Sequence, residues 1–269
     1  MTANPSSETP AAGQFLVRPD GSVVGDDGLS GALAAALPYT GRLARRMGEL
    51  VDAGDLRVME AFGTEHLIVA VTWTPAGEGT FRAVVMPLVG RTVPTFTVVG
   101  AVDTSAAVSH CLTRLSRVDG VEWCSIITAS SRVIGAVGER QDLHHLAEAG
   151  TRMLAILRSL QDQHATGFVR LRFEEGALVG VALGRHALVA SVSSAEDDEL
   201  IAMIDEIRAI LADHDLSTVA TEFDPDEPEA VEEAPPPPPA TPAPAPLVGA
   251  RFRYVEPTEK KPRRLRRGR

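Results

Sequence analysis

The stretch Leu112–Val137, LTRLSRVDGVEWCSIITASSRVIGAV, constrains the fold more than any other part of the chain. Its apolar residues keep helical spacing as far as Leu115, and Asp119-Gly120 then supplies a turn. Val121–Thr128 and Arg132–Val137 read as strands separated by Ser130-Ser131. A helix is expected over Leu143–Gln163, because Leu143, Leu146, Ala149, Met153, Ile156, Leu157 and Leu160 recur at three- and four-residue steps. Three strand-like runs follow, Phe168–Phe173, Ala177–Leu183 and His186–Val192, with Glu174-Glu175-Gly176 and Gly184-Arg185 as turns. A last helix, Asp197–Leu211, has Ser194 as its expected N-cap. With the helix at Ser105–Ser116 placed first, this order describes an antiparallel sheet with helices laid on it, an α+β arrangement.

The preceding residues repeat the pattern. Gln14–Val17 and Ser22–Gly25 flank Pro19-Asp20-Gly21 as a hairpin. A helical stretch runs from Leu29 to Val51, and Pro38 within it predicts a kink or break. Strands are expected at Leu56–Phe62, His66–Trp73 and Phe81–Leu88, followed by a connector and a short apolar run, Thr95–Val99. The run LIVAVTW is nearly all apolar and reads as a strand buried on both faces. The loop Ala76–Thr80 contains glycines but joins two strands, so it lacks the helix amides a phosphate needs. Aligning Val24-Gly25 with Ile134-Gly135 relates the halves. The expected organisation is 1–12 disordered, 13–100 and 101–213 as two similar units, and 214–269 as a tail. Each unit is a five-stranded antiparallel sheet with a long helix on one face and terminal helices on the other. Two such units can satisfy each other's open sheet edges, or present their helices as one surface.

The tail changes character. Residues 222–233 carry seven acidic side chains, which repel one another and stay solvated. Pro235–Pro246 favours an extended spacer. Beyond it, Arg251, Phe252, Arg253 and Tyr254 precede a basic end with Lys260, Lys261, Arg263, Arg264, Arg266 and Arg267. The first group suits strand addition to a partner, and the second suits an acidic or phosphorylated surface.

A net charge of −10 and an aromatic content of 4% oppose nucleic-acid binding by the folded body, which would need a basic footprint and stacking platforms. No apolar run reaches the roughly 18 residues of a membrane span. The amino-terminal residues lack an apolar signal core, so a cytoplasmic location is expected. Cys111 and Cys124 fall on apolar stripes and read as buried filler. His144-His145 point to different sides of a helix and make a poor metal pair. No phosphate-binding loop, zinc motif or converging set of titratable residues is present, so neither a cofactor nor catalysis is expected.

The segments LTRLSRVDGVEWCSIITASSRVIGAVGE and GALVGVALGRHALVASVSS resemble the roadblock/LC7 family, whose order of helix, hairpin, helix, three strands and helix matches residues 104–212. The first unit resembles it more distantly. The resemblance implies a binding module for a small Ras-like GTPase, or for another roadblock protein, of the kind found in bacterial polarity and motility systems. It implies paired sheets with central helices side by side, either through self-association or between the two units of one chain. The expected partner surface is the outward face of the second long helix: Arg140, His144, His145, Glu148 and Arg152. An alternative is an oligomerising adaptor that recruits a complex through its tail.

Overall fold

The computed structural model describes residues 13–25, 31–87, 103–138, 142–162, 166–193 and 197–225. Expectations for 1–12, Thr95–Val99, Arg140, Ser194 and the tail from 226 onward, including Arg251–Tyr254 and the Lys260–Arg267 cluster, lie outside the described residues.

Among the described residues, ten strands and four α-helices follow one another. The strands are β1 (Gln14–Val17), β2 (Val23–Gly25), β3 (Val58–Gly63), β4 (Glu65–Trp73), β5 (Gly79–Pro87), β6 (Val121–Ile127), β7 (Val133–Gly138), β8 (Thr166–Arg172), β9 (Ala177–Leu183) and β10 (His186–Val192). The helices are α1 (Gly31–Leu50), α2 (Thr104–Leu115), α3 (Leu143–Gln161) and α4 (Asp197–Leu211). All strands pair antiparallel in one sheet of order β2-β1-β5-β4-β3-β8-β9-β10-β6-β7. The order strand, strand, helix and three strands therefore occurs twice, and the two runs meet where β3 pairs with β8.

The long helices lie on one face. Leu33, Leu37, Ala44 and Met47 of α1, and Leu146, Met153, Ile156 and Leu157 of α3, share a core with Met59, Val69, Phe81, Ile127 and Leu171 from the sheet. α1 also packs against α3. On the opposite face, α2 and α4 cover β6, β7 and β9, with Cys111, Leu115, Leu200 and Ile204 packed on Cys124, Ile126, Val179 and Val181. Each fully buried aliphatic side chain is worth about 1.5–3 kcal/mol. These stripes therefore hold the helices more firmly than intrinsic propensity does.

Three expectations change. Pro38 does not break α1, which runs continuously through it. The buried Leu37 and Ala44 on either side hold both parts of α1 against the same core, so packing offsets the hydrogen bond that proline removes. β4 is buried on one face only. Leu67, Val69 and Val71 point into the α1 core while Ala70 and Thr72 are exposed, because α2 and α4 cover the other half of the sheet. The chain also remains folded past residue 213. Leu216 is buried in a short 3-10 turn, and Phe223 packs against the α1–α3 core.

The register also replaces the alignment of Gly25 with Gly135. Gly25 lies opposite Phe15, and Gly138 lies opposite Trp123 in the same way. Their φ values are 139° and 122°, and a Cβ on either would meet the facing backbone, at 2.6 Å from the Gln14 oxygen and 2.3 Å from the Glu122 oxygen. Both positions therefore require glycine. Among the described residues, no helix is long and apolar enough to cross a membrane.

Candidate functional site

α3 positions the expected surface. The Asp142 carboxylate caps the helix by accepting the His144 N–H at 2.9 Å. His144, His145 and Glu148 are exposed, whereas Arg152 is half-buried and forms an i,i+4 ion pair with Glu148. The four therefore share the outer part of α3, beside α1, whose Tyr39, Arg42 and Arg46 are also exposed.

The surface is partly occupied by the chain itself. The Phe223 ring stands edge-on to the His144 imidazole, with centroids 4.4 Å apart. The backbone of Phe223 bridges to Val133 on β7. A groove of about 410 Å³ lies between Ser131, His144, Glu148, Arg152, Phe223 and Pro225. The Thr151 hydroxyl donates to the Ala147 carbonyl at 2.8 Å and lies 2.7 Å from the Ser131 hydroxyl, which ties α3 to the β6–β7 turn. Phe223 was not legible as part of a site, because it sits within an acidic run. Its one signal is that it is the only aromatic residue in that run.

A second polar cluster lies at the β3–β8 junction. Glu60 is buried directly opposite Arg170. The Arg172 Nε donates to the Glu60 carboxylate at 2.8 Å, Arg170 Nη1 lies 3.9 Å from it, and His66 Nε2 lies 3.5 Å away. Phe62 stacks on Phe168 with centroids 4.3 Å apart, and on His66 at 4.2 Å. The sequence carried a signal here, since Glu60, Arg170 and Arg172 interrupt otherwise apolar strands. A buried charge needs a partner of opposite sign, so the cluster fixes β3 against β8.

Other titratable groups among the described residues lie apart from these two clusters. A cleft of about 800 Å³ at the β9–β10 turn is lined by Arg185, His186, Asp205, Arg208, His214 and Asp215, a balanced mixture of charges. Burial lowers the His186 pKa, with the nearby Asp215 opposing that shift. Burial pushes the Cys111 thiol up to about 11 and the Cys124 thiol up to about 12, so both stay protonated and unreactive near neutrality.

No family model and no curated protein matches the chain. It is similar to solved structures that include MglB from Myxococcus xanthus, with 15% identity and a TM-score of 0.37 over 43% of this chain and 92% of that one. A roadblock/LC7 domain from Streptomyces avermitilis gives 16% identity and a TM-score of 0.34 over 40% of this chain and 92% of that one. The gliding protein MglB from Thermus thermophilus gives 18% identity and a TM-score of 0.34 over 44% of this chain and 94% of that one.

Proposed function

We propose that this chain is a non-enzymatic binding module that scaffolds or regulates a small Ras-like GTPase, in a role of the kind bacterial polarity and motility require. In this reading it consists of two roadblock/LC7-like units paired within one polypeptide. The observation that carries the reading is the pair of long helices, α1 and α3, packed side by side on one face of a continuous sheet. Such a pair offers a broad composite surface. A regulator of this kind works by positioning the partner's own catalytic groups. The two units meet through β3 and β8, so each supplies the sheet edge that the other would otherwise leave unpaired.

The test is a binding titration of the purified chain against small Ras-like GTPases loaded with GDP or with a non-hydrolysable GTP analogue. Affinity should differ between the two nucleotide states. The double substitution His145→Glu, Glu148→Arg should weaken the tighter complex about tenfold, the scale of a lost 1.4 kcal/mol. Absence of binding in both states would remove the proposal.

A further inference from the structure

The segment after α4 makes a contact that the helix-pair surface does not explain. β7 is the outermost strand at its end of the sheet. Its first residue is paired on the outer side by the chain's own Glu222–Asp224. The Val133 N–H donates to the Phe223 carbonyl at 3.0 Å, and the Val133 carbonyl accepts the Glu222 N–H at 2.8 Å and the Phe223 N–H at 3.3 Å. The neighbouring side chains match as well. The Asp224 carboxylate forms an ion pair with Arg132, whose Nε lies 2.9 Å from it, and the Phe223 ring seats against His144 beside Ala147 and Thr151. Three consecutive residues thus use the three features of a strand-addition site: an open backbone edge, a pocket for one side chain and a charge for the next. The pairing stops after one bridge, and the rest of β7, Ile134–Gly138, has no strand on its outer side among the described residues.

We propose that the β7 edge and the adjoining groove on α3 form a docking site for an extended segment of a partner protein, one carrying an aromatic residue followed directly by an acidic one. Phe223-Asp224 is the resident occupant and shields the site until the partner displaces it. A single bridge and a half-buried ring make a weak contact, but tethering gives the segment an effective concentration on the order of millimolar. A partner segment that also pairs with Ile134–Gly138 gains backbone hydrogen bonds that the resident does not make. The site does not depend on the GTPase reading, and its test contains no GTPase.

The experiment uses a fluorescein-labelled peptide with the sequence of residues 219–225, titrated into the full chain and followed by anisotropy. The Phe223→Ala chain should bind the peptide at least about tenfold more tightly than the unsubstituted chain, because its own segment no longer competes. A peptide with alanine in place of the phenylalanine should not bind. Adding Arg132→Glu to the Phe223→Ala chain should abolish binding, and a peptide with arginine at the aspartate position should restore it. Asp224→Arg in the full chain, which sets like charges against each other at Arg132, serves as the second opened variant if Phe223→Ala unfolds. Failure of the folded opened variant to bind more tightly, or equal binding of the peptide without phenylalanine, overturns the proposal. A dimer mass for the unsubstituted chain that is lost in Phe223→Ala assigns the groove to a second copy and also overturns it.

Discussion

At the scale of single residues, the two thiols give a direct test of burial. Cys111 lies between α2 and the sheet, and Cys124 donates to the Leu112 carbonyl at 3.4 Å. Burial raises both pKa values above the ordinary 9.0, to about 11 and about 12. The folded state therefore holds protons that the unfolded chain releases first. Stability from this source is intact below about pH 9 and declines as the pH rises from there through the folded values. Denaturant unfolding at about pH 8 and about pH 10 should show lower stability at the higher pH, with the difference reduced in Cys124→Ala. Native protein at about pH 8 should label with a thiol reagent only as fast as it unfolds, and a rapid two-thiol reaction would contradict the burial. This much was legible in the sequence, because both cysteines occupy apolar positions of periodic segments. The environment of Phe223 was not legible, because its neighbours in sequence are acidic while its neighbours in space are His144 and Val133.

At the scale of elements, α3 shows how closely helix and sheet approach. A Cβ on Gly150 would lie 2.7 Å from the Ile127 Cβ and 2.1 Å from its Cδ1, and Ile127 is fully buried. Alanine at a helix interior normally gains about 1 kcal/mol over glycine. Overpacking a filled core costs about 1–3 kcal/mol. Gly150→Ala should therefore show a net loss of about 1 kcal/mol, read as a lower midpoint in urea, whereas Gly31→Ala, at the first residue of α1 with open space around it, should not lower the midpoint. The elements themselves were readable from periodicity, since apolar spacing of 3.6 or 2 reports which face is covered. What periodicity missed was coverage by other elements. LIVAVTW in β4 reads as buried on both faces, yet α2 and α4 pack on the other half of the sheet and leave Ala70 and Thr72 exposed. Pro38 predicted a break in α1 that packing against the shared core prevents.

At the scale of the whole molecule, one seam unites the sheet. Glu60 on β3 holds Arg172 at 2.8 Å and faces Arg170 across the strand pair. Removing one member of a buried ion cluster leaves the others desolvated and costs about 3–5 kcal/mol. Glu60→Gln should therefore lower the melting temperature by about 10 °C, at about 2–4 °C per kcal/mol for a chain of this size. Replacing the exposed Glu49 with glutamine should change it by less than about 2 °C. An unchanged melting temperature in Glu60→Gln would mean that the seam is held by backbone pairing and the Phe62–Phe168 stack alone.

The sequence by itself determined where most helices and strands lie and which apolar stripes of the helices are covered. Those properties depend on local spacing and composition, which a linear chain displays directly. Tertiary structure decided that the strands join into one sheet through β3 and β8, that α1 and α3 share a face, and that Phe223 returns to the β7 edge. These outcomes depend on pairings between residues up to more than 100 positions apart, such as Glu60 with Arg170. Such pairings are selected by the free energy of burying complementary surfaces together, and no local pattern encodes that energy.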